Sequence, residues 1–378
     1  MTDAPVVAIP TDPQVTTLEP ATALCLSGGG YRAMVFHVGV LWRLYETNML
    51  RDIARISSVS GGSITAGVLG LKWHKLSFQP TRLQTDFVPE IVVPLRALAG
   101  ATIDWKAVVL GMLLPWRASY HIARAYNAKL FQGATLQSLP DQPRFVINAT
   151  NMQSGVLWRF MKPYMRDYRV GQVLNPTIRL ADAVAASSAF PPVLSPFEMR
   201  LDPDSFVPQT GLDLQRPPFT TNVILCDGGV YDNLGLETAW KRYQTIFVSD
   251  AGAKVAPKPR PWSNWVSQAY RVLNLIDNQV GSLRTRQVVD SFVQATRTGA
   301  YWGIRTDIRN YHLPDALDCP FERTQALAEV PTRLKRLDDA TQERLINWGY
   351  AVCDAALRAH VNPALQPKPE FPYPERGV

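Results

Sequence analysis

The 378 residues contain no apolar run of the length a membrane-crossing helix needs, which is roughly 18 residues. The nearest approach is AVVLGMLLPW, residues 107–116, which fits a buried core helix, a segment lying on a bilayer or one lining an acyl-chain groove. Cysteine is scarce: Cys25, Cys226, Cys319 and Cys353 show no CxxC spacing, so neither a zinc site nor a dithiol redox motif is indicated. Cys25 and Cys226 fall inside apolar runs, where a thiol behaves as a small hydrophobe, and this usage fits a reducing compartment. The start, MTDAPVVAIPTDP, lacks the basic stretch and apolar run of a secretory signal, so a cytoplasmic protein is expected. Charged residues make up only 19% and hydrophobic ones 46%, which excludes a largely disordered chain.

What charge there is lies unevenly. The formal net charge is +7, and residues 251–310 hold nine basic residues against three acidic ones. Lys254, Lys258, Arg260, Arg271, Arg284, Arg286, Arg297, Arg305 and Arg309 are interleaved there with Trp262, Trp265, Tyr270, Tyr301 and Trp302. Such a segment either faces phosphate or is a solvated arginine-rich face.

Periodicity gives the organisation. ATALCLSGGG is a short apolar run ending in glycines, followed by YRAMVFHVGVLWRLYETNML with apolar residues at helical spacing. ARISSVSGGSITAGVLGL repeats the order of strand, tight turn and helix. Two such units in succession predict an α/β fold with a mainly parallel sheet covered by helices. Further strands are expected at 144–150, 156–161, 222–226 and 245–249, and a small-residue helix in LADAVAASSAFPP that Pro191 and Pro192 stop. Helical patterns fill about 262–298 and 322–360, with a break or a start at Pro331.

Three short stretches point to chemistry. In SVSGG the turn approximates G-x-S-x-G, the strained strand-to-helix elbow that exposes a nucleophilic hydroxyl; Ser60 is the central serine, and Ser58 stands where glycine is usual. In SGGGYR, consecutive glycines let backbone N–H groups approach a developing negative charge at a helix N-terminus. A phosphate-binding turn is the rival use, but neither a Gly-Lys-Ser/Thr ending nor G-x-G-x-x-G is present there. In VILCDGGVYDNLG, Asp227 ends an apolar strand, as a catalytic base at the carboxyl edge of a sheet or as an ordinary turn aspartate, with Asp232 and Asn233 as loop caps. Of the histidines, His37 reads as structural, and neither His312 nor His360 sits at a strand–turn–helix junction.

SGGGYR, SVSGG and DGG, in this order and each at a strand end, resemble the patatin-like phospholipases. AASSAFPPVLSPF and NATNMQSGVLWRF are similar to segments of the same family, and the resemblance covers residues 21–255. It implies a three-layer patatin-like fold, with residues 1–20 as a tail, 21–255 as the catalytic domain, 256–360 as a mainly helical extension and 361–378 as a Pro-rich tail. It implies Ser60 as nucleophile and Asp227 as base without a histidine. Gly28, Gly29, Gly30 and Gly61 would be the oxyanion donors, and Arg32 would anchor the glycine loop. The implied activity is hydrolysis of phospholipid or lysophospholipid carboxylic esters at a peripheral membrane surface, with no cofactor, metal or nucleic acid, and with an activator or a homo-oligomer as a possible partner. An acyltransferase using the same acyl-serine, and a non-catalytic lipid- or phosphate-binding module, are the alternatives.

Overall fold

The computed structural model describes residues 17–103, 116–261 and 263–378; most of the 107–116 run and Trp262 lie outside these. Two strand–turn–helix units open the fold, as the periodicity predicts: β1 (Glu19–Leu26), α1 (Gly30–Glu46), β2 (Ile53–Val59) and α2 (Gly61–Lys72). Helices α3 (Val93–Ala99) and α4 (Trp116–Tyr126) precede β3 (Arg144–Asn151), β4 (Leu157–Phe160), β5 (Tyr164–Asp167) and β6 (Gly171–Leu174). Then come α5 (Leu180–Ser187), β7 (Phe197–Arg200), β8 (Asn222–Asp227), the one-turn helices α6 (Gly229–Asp232) and α7 (Glu237–Trp240), and β9 (Tyr243–Asp250). The chain continues through α8 (Trp265–Val293), β10 (Thr298–Gly303), α9 (Phe321–Ala328) and α10 (Asp339–His360).

The result is a mixed α/β molecule with helices on a mostly parallel central sheet, ordered β10-β9-β1-β2-β3-β4-β5-β6. Strands β10, β9, β1, β2 and β3 are parallel to one another, β4 to β6 add antiparallel beyond β3, and β8, with β7 beside it, also pairs antiparallel with β3. The central strands are buried nearly throughout, which is why they read as continuous apolar runs rather than as alternation.

One detail of topology decides where Ser60 and Asp227 lie. β2 pairs with β3 up to Val59 opposite Asn148, and β8 runs antiparallel to β3 from Asp227 opposite Ala149. Because β4 occupies the other edge of β3 at the same residues, β8 must lie on the edge that β2 vacates. The carboxyl ends of β2 and β8 therefore meet head to head, and Ser60 and Asp227 follow from that meeting.

The segment 256–360 does more than cover the sheet. It supplies β10, whose Trp302 is fully buried, and α10, which packs against α1. That crossing is close because it is glycine against backbone on both sides: a Cβ at Gly39 would collide with the Ile346 carbonyl and one at Gly349 with that of Phe36. A buried charge cluster joins the same helices, Arg43 to Asp354 at 2.6 Å and Arg358 to Asp354 at 3.0 Å. The predicted break at Pro331 falls in the segment between α9 and α10. The proline-rich C-terminal stretch rests on the core through Phe371 and Tyr373.

Candidate active site

Ser60 links β2 to α2 at φ 52° and ψ −118°, a conformation disfavoured for any residue with a Cβ. Its surroundings explain why such a turn holds. A Cβ at Gly62 would come within 2.5 Å of the Leu26 carbonyl oxygen and 2.7 Å of that of Ser27, so β1 and α2 approach to a distance only glycine allows. A Cβ at Gly61 would strike the Gly30 carbonyl, so the elbow and the glycine loop are in backbone contact.

Beneath the turn lies a cluster of serines. The Ser60 N–H donates to Ser187 Oγ at 3.0 Å, and Ser187 Oγ donates to the Asn148 carbonyl of β3 at 2.6 Å. Ser63 Oγ is 2.9 Å from Ser187 Oγ and 3.0 Å from Ser58 Oγ, which itself donates to the Val146 carbonyl. Ser58 therefore replaces the usual glycine with a fully buried, hydrogen-bonded hydroxyl that braces the elbow. Ser187 escaped the sequence reading, since a serine in AASSAF carries no signal beyond small size.

Asp227 is 2% exposed. Its Oδ1 accepts the Gly229 N–H at 2.7 Å, and its backbone is fixed by Ala189 and Thr150. Burial raises its carboxyl to a pKa of about 7, against the opposing pull of the Gly229 N–H and of a hydrogen bond from the Ser60 side chain; the Asp277 carboxylate adds to the rise. The carboxylate thus stands at the strand end that meets the end of β2, poised to exchange a proton near neutral pH.

The glycine loop lies alongside. A Cβ at Gly28 would be 3.1 Å from that of Ser60. Gly29 and Gly30 have φ of 140° and 60°, which lets the loop turn into α1. The Gly28 N–H is committed to the Asn233 carbonyl at 3.0 Å, which removes it from the expected set of oxyanion donors. Gly29, Gly30 and Gly61, at the starts of α1 and α2, remain as candidates. Asn233 thereby does more than cap a loop, whereas Asp232 does cap, accepting the N–H groups of Leu234 and Glu237.

Arg32 is almost fully buried. It donates to the carbonyls of Ala328 at 2.6 Å, Val330 at 2.9 Å and Ala251 at 2.8 Å. A Cβ at Gly29 would lie 2.7 Å from that same Ala251 oxygen, so Arg32 holds in place the backbone on which the glycine loop rests. Burial lowers its pKa to about 10, which still leaves it charged at neutral pH.

His37 is fully buried in α1, with Nε2 3.0 Å from the Ser27 carbonyl and Nδ1 2.9 Å from Ser249 Oγ. Burial pushes its pKa down to about 4, so it is a neutral tie between β1 and β9. Among the described residues no histidine bonds to Ser60 or Asp227, and no group of three or more potential metal ligands occurs. All four cysteines are free and buried, and among the described residues no helix is long and apolar enough to cross a membrane.

Comparison with known proteins adds a family to this geometry. A family model described as patatin-like phospholipase matches residues 24–240. No curated protein is similar enough in sequence to match. Among solved structures, human GIVD cytosolic phospholipase A2 is 12% identical with a TM-score of 0.49, over 90% of this chain and 62% of that one. The same human enzyme in complex with methyl gamma-linolenyl fluorophosphonate is 13% identical with a TM-score of 0.48, over 90% and 59%. VipD from Legionella pneumophila is 15% identical with a TM-score of 0.35, over 91% and 67%. The chain spans about three fifths of the length of the human enzyme. Since the family model accounts for more than half of the 378 residues, the chain belongs to the patatin-like phospholipase family.

Proposed function

We propose that the protein is a lipid acyl hydrolase that cleaves carboxylic esters of phospholipids or lysophospholipids through an acyl-Ser60 intermediate. The observation that carries the reading is the head-to-head meeting of β2 and β8, which brings the strained Ser60 turn to the buried, proton-poised carboxylate of Asp227. Asp227 takes the hydroxyl proton as Ser60 Oγ attacks the ester carbonyl carbon. The carbonyl oxygen becomes the oxyanion, and the N–H groups of Gly29, Gly30 and Gly61 are the donors assigned to it. As the tetrahedral intermediate collapses, the C–O bond to the alcohol breaks and Asp227 returns the proton to the leaving oxygen. Water then attacks the acyl-serine, losing its proton to Asp227. The fatty acid departs, and Ser60 recovers its proton from Asp227.

Burial supports this scheme energetically. An ordinary aspartate is too weak a base to share a proton with serine, and desolvation narrows the gap. The serine cluster adds rigidity, because the Ser60 backbone is tied through Ser187 to β3 rather than to solvent.

The test is fatty-acid release from phosphatidylcholine and lysophosphatidylcholine by wild type, Ser60→Ala and Asp227→Asn. Each substitution should lower turnover by roughly a thousandfold or more while leaving the fold unchanged. Wild-type turnover in either variant would reject the assignment.

A further inference from the structure

Helix α8 is the least supported long element of the fold. Of its 29 residues only Val288 and Ser291 are buried. Its first five turns nevertheless carry Val266, Ala269, Leu273, Ile276, Val280 and Leu283, spaced alternately by three and four residues, which places them in one stripe along the helix. Such spacing normally marks a face turned to a core. Here Leu273 is 62% and Ile276 55% exposed, and Trp265 beside them is 80% exposed.

The other end of α8 fixes where the stripe points. Arg284 Nη1 is 3.1 Å from Glu237 Oε2, its Nε 3.6 Å from Asp232, and its guanidinium 5.9 Å from the Tyr231 ring. Tyr231 and Asp232 belong to α6, which begins two residues after Asp227. Asp277, on the same helix, is one of the charges that act on the Asp227 carboxylate. The apolar stripe therefore runs outward from the side of the site on which the carboxylate sits.

Charge favours one occupant. From 254 to 286 the chain holds Lys254, Lys258, Arg260, Arg271, Arg284 and Arg286 against the single acid Asp277. Arg284 is taken up by the ion pairs with α6 and α7, while Lys254, Arg260 and Arg286 are exposed. A second copy of the helix would set like charges against like. An anionic lipid surface meets both the apolar stripe and its basic flanks, and an exposed tryptophan suits the interface.

We propose that the N-terminal two thirds of α8, with its basic flanks, is the surface by which the protein docks on an anionic phospholipid bilayer. The inference rests on the lipid acyl hydrolase reading, to which it adds the surface that meets the lipid.

The experiment is co-sedimentation with vesicles of phosphatidylcholine alone and with about a third phosphatidylglycerol. Each basic residue at an anionic surface strengthens binding roughly fivefold, so the mixed vesicles should bind wild type at least tenfold better. The double variant Leu273→Glu, Ile276→Glu should lose at least tenfold of that binding, with unchanged thermal unfolding and unchanged turnover of a monomeric short-chain ester. Arg286→Glu should weaken binding to the mixed vesicles alone. Equal binding to both vesicle types, or a double variant that binds like wild type, would overturn the proposal. So would a wild-type dimer in solution that the double variant dissociates, since a second copy would then cover the stripe. Ser60→Ala should bind vesicles normally; a wild type that binds vesicles yet turns over no ester would refute the hydrolase reading and leave the docking surface standing.

Discussion

Burying Asp227 carries a stability penalty that Asp227→Asn should release. An ordinary aspartate titrates at 3.8, and burial raises this one to about 7. Between those values the folded protein keeps a proton that the unfolded chain gives up, so the stabilising contribution of the protonated group is complete below pH 4 and lost as pH rises to 7. The three pH units, at about 1.4 kcal/mol each, amount to about 4 kcal/mol once the group is ionised. Asparagine does not ionise and keeps an oxygen for the Gly229 N–H, so the variant avoids this loss. Measured by urea unfolding at pH 4.5 and at pH 8, the stability of Asp227→Asn relative to wild type should rise by about 3 kcal/mol. The same variant should be inactive, which separates stability from catalysis at one residue. If wild type and variant keep the same stability difference at both pH values, Asp227 is not a carboxylate held against its ionisation, and the basis for its proposed role as a base disappears.

Other consequences follow from the same geometry. Gly62→Ala forces a Cβ to 2.5 Å from the Leu26 carbonyl and should cost about 1–3 kcal/mol in thermal unfolding, together with activity. Ser187→Ala removes the acceptor of the Ser60 N–H, leaves that donor buried and unpaired, and should lower kcat by roughly tenfold or more through misplacement of the elbow, with KM less affected. Asp277→Asn takes away a charge that raises Asp227, so the acid limb of the activity profile should move to lower pH; an unmoved limb would show that the two carboxylates do not interact at the site.

The elements nearest the site were the most legible in the sequence. β1, β2, β3, β4, β8 and β9 are apolar runs closed by glycines, small residues or turns, and α1 shows its helical period directly. Legible too were SVSGG and DGG, because a strained turn and a strand-end carboxylate each demand a particular residue type at a particular place. What could not be read is what long-range packing decides. β5, β6, β7 and β10 are set by the strands they pair with, and TGAYWG becomes a sheet edge only because β9 is there to receive it. The basic segment divided in a way charge alone does not reveal. Trp302 entered the core, Arg284 was drawn into ion pairs, and the apolar stripe of α8 was left outside. Ser187 and the Gly28 to Asn233 bond were beyond sequence reasoning, since both depend on residues brought together from more than a hundred positions apart.

The central claim is that Ser60 is an activated nucleophile paired with Asp227. Intact-protein mass spectrometry after treatment with a fluorophosphonate ester addresses it directly. One adduct on wild type that maps to Ser60, is absent from Ser60→Ala and forms far more slowly on Asp227→Asn is the result this account predicts. An adduct that persists in Ser60→Ala, or one that forms on Asp227→Asn at the wild-type rate, would contradict it.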